Sequence, residues 1–171
     1  MHRQAHAPAY YAALRNAEMI VAHVDECPTH PRVRILDVGF HETPHATAFG
    51  KLMLSTLTPA DREELLDRTG TPAVTAATVT DRSLLLRQLS QVRGTGLAVE
   101  VNEFQPDLSC LAAPVNDAAG RFVGAVAVSM PTPRMRADRW TVERVVRLGA
   151  VRASRAVALD TALRTGSANS P

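Results

Sequence analysis

The sequence predicts a single α+β domain, an antiparallel-rich sheet with helices packed on it. Three observations predict it. Two β-prone runs, Cys110–Val115 and Phe122–Met130, flank Asn116-Asp117-Ala118-Ala119-Gly120-Arg121, which reads as a hairpin loop. Ahead of them, several segments combine helix-start signals with apolar residues at helical spacing. Finally, the 171 residues are 46% apolar and 21% charged, which suits one core, and neither a repeat nor a linker divides them.

Taken in order, Pro8–Arg15 reads as a short helix. Met19–Val24 is rich in β-formers, and Arg32–Val38 alternates charged with apolar residues, so both read as strands separated by Pro28 and Pro31. A helix starting near Thr47 carries Phe49, Leu52, Met53 and Leu57 on one side. Thr58-Pro59 opens the next, with Thr58 able to cap and Pro59 suited to the first helical position. Thr80-Asp81 opens a third, with Leu85, Leu89 and Val92 at i, i+4, i+7, and Gly94 and Gly96 marking its end. Leu97–Asn102 alternates as a strand and leads to the hairpin, which Pro131 and Pro133 terminate. A long helix follows from about Asp138 to Leu163, with Val142, Val145, Val146 and Ala153 on its apolar side. The final residues, 165–171, are expected to be a disordered tail.

Composition excludes several classes. No apolar run is long enough to span a bilayer, so no membrane association is expected, and the absence of a secretion-signal pattern makes the cytoplasm the expected location. Cys27 and Cys110 are too few for a disulfide framework or a four-cysteine zinc site. A net charge of +2 provides no general attraction for nucleic acid. Arg134, Arg136, Arg139, Arg144, Arg147, Arg152 and Arg155 crowd the C-terminal part, but at helical spacing they read as a solvated helix face.

Strand alternation sorts the hairpin into two unlike faces. With the turn centred between Ala118 and Ala119, Cys110 is expected opposite Ala127, and Ala112 opposite Ala125. One face then carries Cys110, Ala112, Ala125, Ala127 and Ser129, all small; the other carries Leu111, Val115, Phe122, Val126, Val128 and Met130. A face of small side chains leaves room either for a closely approaching helix or for a ligand. Glu100 and Ser129 on the same side argue against a dry contact, because a buried carboxylate or hydroxyl needs a partner.

The stretch Thr43-Pro44-His45-Ala46-Thr47-Ala48-Phe49-Gly50-Lys51 holds the only lysine of the chain. A helix beginning near Thr47 presents backbone N–H groups and a positive dipole end, which favour an anion. Thr47 and Ala48 keep side chains out of the way. Gly50 permits close approach, either of a ligand or of packed backbone. His45 either bonds a ligand or ties down its own loop, and Lys51 either points to solvent or neutralises an acid.

No strong catalytic motif is present: no G-x-S-x-G, no H-E-x-x-H and no Walker sequence. Cys110 lies in the apolar strand context SCLAAPV, where a thiol is ordinarily inert. His45, Cys110 and Glu100 form a conceivable mixed metal set but lack ligand spacing, so neither a metal nor a cofactor is expected.

The blocks HATAFGKLMLSTL, TVTDRSLLLRQLSQVRGTGLAVEVNEF and SCLAAPVNDAAGRFVGAVAVSMP, in this order, resemble the C-terminal effector-binding domain of the IclR family of bacterial transcriptional regulators, from about His6 to Leu159. The resemblance implies a GAF-like fold whose curved sheet encloses a small-molecule pocket, a domain spanning 6–164, and a homodimer or homotetramer. It also implies a small-molecule effector, mostly a carboxylate or aromatic acid, and contact with DNA only through a winged helix-turn-helix. Only Met1–Ala7 precede the first predicted helix, so the chain reads as an excised sensor domain, the alternative being a natural chain that senses without binding DNA itself. Carried over by position, the ligand-binding residues are Thr47, Ala48, Glu100, Leu108, Cys110, Ala127 and Ser129, with His45, Gly50 and Asn102 as further candidates. In this reading the N–H groups of Thr47–Gly50 hold an anionic group, Glu100 accepts a hydrogen bond, Ser129 bonds a second polar atom, and Leu108, Cys110 and Ala127 shape an apolar floor.

The chain departs from the family pattern in two ways. Glu100 stands where aspartate is usual, in an acidic run reduced to Glu100, Asn102 and Glu103, and Ala127 stands where a second hydroxyl is usual. A more apolar floor implies a ligand larger and less polar than a two- or three-carbon keto acid. Two rival readings remain: a small enzyme with a Cys110 nucleophile, and a ligand-free dimerisation scaffold with a filled core.

Overall fold

The computed structural model describes residues 1–16, 18–27 and 42–167. In chain order the elements are α1 (His2–Ala5), β1 (Ala9–Arg15), β2 (Glu18–Asp25), a 3-10 turn (Pro44–Ala46), α2 (Ala48–Thr56), α3 (Pro59–Thr69), α4 (Arg82–Thr95), β3 (Ala98–Val101), β4 (Leu108–Asn116), β5 (Phe122–Pro131), α5 (Thr132–Ala137) and α6 (Arg139–Ser167). The strands form one sheet in the order β2-β1-β5-β4-β3, and every pair is antiparallel.

Helices cover both faces. On one side Phe49, Leu52 and Met53 of α2, Leu65 and Leu66 of α3, and Leu85, Leu89 and Val92 of α4 cluster with Tyr10, Ala12, Ala98, Ala112, Ala125 and Ala127 of the sheet. On the other, Met135, Val142, Val145 and Val146 meet Leu111, Val115, Val126, Val128 and Met130. Small side chains therefore face α2 and α4, and large ones face α6. Alanines let α2 lie close to the sheet, where dispersion contacts are densest.

The helix starts follow the cap signals. Thr47, Thr58 and Asp81 are extended N-caps whose side chains accept the N–H of Gly50, Asp61 and Leu84 respectively, each satisfying an otherwise orphaned donor. Gly96 closes α4 in the left-handed region at φ 65°, and its N–H bonds Val92 O.

Three expectations are corrected. Pro8–Arg15 is not a helix; its core is β1, paired with β2 on one side and β5 on the other. Tyr10 and Ala12 face one core and Ala9 and Tyr11 the other, a period of two that ladder pairing imposes over any helical leaning of the alanines. The hairpin register lies two residues from the expected one: Cys110 pairs Ser129 and Ala112 pairs Ala127. The cause is the turn. Asp117 Oδ1 accepts the N–H groups of Ala119 and Arg121, Gly120 sits at φ 77°, and Val123 is an extra residue in the ladder between the Asn116–Phe122 and Val115–Gly124 pairs. That bulge also moves Phe122 to the small-residue side, while Val123 joins the α6 side. Third, α6 continues through Ser167, past the tail expected from residue 165; the rest of that tail, like the strand expected at Arg32–Val38, lies outside the described residues.

Candidate functional site

The register sets three polar side chains in one row across neighbouring strands. Glu100 of β3 pairs Cys110 of β4, and Cys110 pairs Ser129 of β5. Beside this row lies an apolar one, in which Ala98 pairs Ala112, Ala112 pairs Ala127, and Ala127 pairs Tyr10. Side chains on alternate positions share a face, so both rows point toward α2. Ser129 Oγ donates to Tyr10 Oη at 3.1 Å, which brings a fourth polar group to the end of the row.

Glu100 is 1% exposed. Burial raises its pKa to about 7, and the opposing influences are the N–H groups of Phe104 and Glu103 and the thiol of Cys110, all hydrogen-bonded to its carboxyl. Oε1 accepts from Glu103 N at 2.5 Å and from Phe104 N at 3.1 Å. Cys110 is pushed well above the usual thiol value, first by burial and then by the Glu100 charge. Its thiol lies deep in the fold yet is only half-buried.

The start of α2 is built as a rigid corner. Thr47 Oγ1 accepts the Gly50 N–H at 3.0 Å, and Ala48 shares the buried cluster of Tyr10, Ala112 and Ala127. A Cβ at Gly50 would collide with the Pro44 carbonyl, so this glycine serves the contact between α2 and the 3-10 turn. His45 is fully buried, and burial keeps its pKa below the ordinary value; its Nε2 donates to the Pro72 carbonyl at 2.9 Å, tying the turn to the α3–α4 connection. Lys51, 1% exposed, forms an ion pair with Glu103 at 2.5 Å. The other Glu103 oxygen accepts from Val79 N at 3.3 Å.

Of the residues proposed from sequence, the fold brings Glu100, Cys110, Ala127 and Ser129 together on one face, and Ala48 packs into the same cluster. Thr47 caps α2. Leu108 begins β4, half-buried and opposite Pro131. Asn102, in the left-handed region at φ 59°, turns elsewhere: its Oδ1 accepts from Thr132 Oγ1, which also meets Ser109 Oγ at 2.9 Å. His45, Cys110 and Glu100 do not assemble as a metal set, and no cluster of three or more His, Cys, Asp or Glu among the described residues is placed to hold a metal ion. Tyr10 escaped the sequence reading, because the alternation that exposes its role lies in a segment read as helix. Glu103 escaped as the partner of Lys51, since 52 residues separate them.

The sheet thus carries a buried polar row on its small-residue face, the side on which α2 packs. The family described as "Bacterial transcriptional regulator IclR C-terminal" matches residues 1–156. The chain belongs to the IclR family and corresponds to its C-terminal domain. It is 33% identical over 116 residues to the HTH-type transcriptional regulator BhcR of Paracoccus denitrificans, covering 67% of this chain and 42% of that protein. It is 32% identical over 129 residues to the HTH-type transcriptional repressor AllR of Salmonella paratyphi A, covering 75% of this chain and 47% of that protein. The chain thus spans about half the length of these relatives, both of them transcriptional regulators. Among solved structures, the inducer-binding domain of PobR from Acinetobacter, a double mutant in complex with 3-hydroxybenzoic acid, superimposes with a TM-score of 0.75 at 24% identity over 90% of each chain. No helix among the described residues is long and apolar enough to cross a membrane.

Proposed function

We propose that this domain senses a small organic acid on behalf of a transcriptional regulator, with the row Glu100–Cys110–Ser129 as the floor of its binding site. The observation that carries the reading is the row itself. Glu100 and Ser129 are 1% and 2% exposed on a face otherwise built of alanines and apolar helix residues. The Glu100 carboxyl holds the N–H groups of Glu103 and Phe104, but burial disfavours its charged form, a cost that a wholly apolar face avoids.

The groups suit a hydroxylated aromatic acid. The positive end of α2, at Thr47 and Ala48, favours its carboxylate. Tyr10, Ser129 and Glu100 offer hydroxyls and a carboxyl to a ring substituent, and Ala127 and Leu108 leave an apolar bed for the ring. Such an acid is bound within the PobR domain of the same fold. Because Glu100 titrates near neutrality, an anionic ligand meets a neutral carboxyl below about pH 7 and a repelling charge above it. Cys110 has no catalytic part in this reading, since burial keeps its thiol protonated. In the whole regulator, ligand binding shifts the balance between dimer or tetramer arrangements, and so the placing of the DNA-binding heads in the cytoplasm.

Thermal-shift measurements with 3-hydroxybenzoate and related hydroxylated aromatic acids, against glyoxylate and pyruvate, test the proposal. At a concentration near 100 times Kd, a true ligand adds about 2.7 kcal/mol of stability. The larger acids are expected to stabilise the domain, and Ser129→Ala to weaken the effect. Stabilisation by glyoxylate or pyruvate alone, or by none of these acids, refutes it.

A further inference from the structure

The outer side of α6 is more than a solvated row of arginines. At 100° per residue, Trp140, Arg144, Leu148, Val151, Arg155 and Leu159 fall within about 100° of arc, a stripe roughly 29 Å long. The apolar members are exposed: Trp140 85%, Leu148 48%, Val151 50% and Leu159 66%. Arg144 and Arg155 are exposed too, as is Arg152 at the edge of the stripe, and none of the three makes an ion pair among the described residues. Nearby carboxylates are committed elsewhere, Asp138 to Arg134, Glu143 to Arg139 and Arg147, and Asp117, which lines a groove with Val151 and Arg155, to Arg121. The stripe thus alternates large apolar side chains with unpaired cations and carries no acid. A purely solvated helix face has no use for the only tryptophan of the chain at 85% exposure.

We propose that this face docks an amphipathic helix of another polypeptide, one whose apolar stripe is flanked by carboxylates. Charge selects that occupant. A second copy offering the same face would set arginine against arginine in parallel or antiparallel packing, because the face has no carboxylate to answer them. A nucleic-acid duplex would engage the arginines but leave Leu148, Val151 and Leu159 without apolar contact. An acidic helix answers both parts: its apolar ridge packs between Trp140 and Leu159, and its carboxylates reach the arginines.

Trp140, as the only tryptophan, supplies the readout. Its emission is followed during titration with a synthetic helix of about 20 residues bearing leucines at i, i+4 and i+7 spacing, flanked by glutamates. The expected result is a saturable blue shift. An Arg144→Gln/Arg155→Gln double variant, with an unchanged thermal midpoint, should bind at least about tenfold more weakly, whereas Arg87→Gln, on exposed α4 surface, should bind as the parent does. The proposal is overturned if the peptide gives no saturable shift or its scrambled version binds equally. A larger response to phosphatidylglycerol vesicles or a DNA duplex also overturns it, as does a shift produced by raising the protein concentration alone.

Discussion

Glu100→Gln isolates the cost of a buried acid. In the fold its pKa rises from 4.5 to about 7, chiefly through burial. Between those two values the folded chain holds a proton that the unfolded chain has released. Stability from this group is therefore complete below pH 4.5, declines as pH rises, and levels off above about 7. The loss amounts to about 3 kcal/mol, or roughly 6–12 °C in Tm for a chain of this size. Glutamine keeps an oxygen to accept the N–H groups of Glu103 and Phe104 but cannot ionise. The assay is the Tm of parent and variant from pH 4.5 to 8.5, read as a difference so that every other titrating group cancels. The variant should gain on the parent by about 3 kcal/mol across that window. A difference that stays flat with pH, or that moves in favour of the parent as pH rises, refutes the burial argument.

Three further outcomes are expected. Lys51→Met strands Glu103 in the core and should destabilise the domain by about 3–5 kcal/mol, with Lys51→Met/Glu103→Leu recovering most of it in urea titrations. Gly50→Ala drives a methyl into the Pro44 carbonyl and should cost about 2 kcal/mol or more by thermal denaturation, while Gly94→Ala, where a Cβ meets nothing within 4 Å, should stabilise α4 slightly. Iodoacetamide at pH 7 should label Cys110 slowly in the folded domain and quickly in urea; rapid stoichiometric labelling of the native protein would revive the nucleophile reading.

What the sequence disclosed and what it hid divide along physical lines. Thr47, Thr58 and Asp81 announced their helices because capping is a contact between residues only three apart. The membership of Cys110, Ala112, Ala125, Ala127 and Ser129 in one face survived a register error, since a shift of two residues preserves the side to which each points. Phe122 did not survive, because a single extra residue at Val123 reverses that parity. β1 was misread because ladder partners on both sides, not local propensity, decide the state of Ala9–Arg15. The partner of Lys51 and the Tyr10–Ser129 hydroxyl pair join positions 52 and 119 residues apart, a distance no local pattern spans.

Glu103 is grasped from several directions at once. Lys51 holds its carboxylate, its own N–H steadies Glu100, and the hydroxyls of Thr78 and Thr75 clasp its carbonyl at 2.7 Å and 3.3 Å. α2, the connection ahead of α4 and the turn after β3 are thereby riveted at one point beneath the surface. Any shift of α2 against the sheet is carried through this rivet to the strand end that presents Glu100.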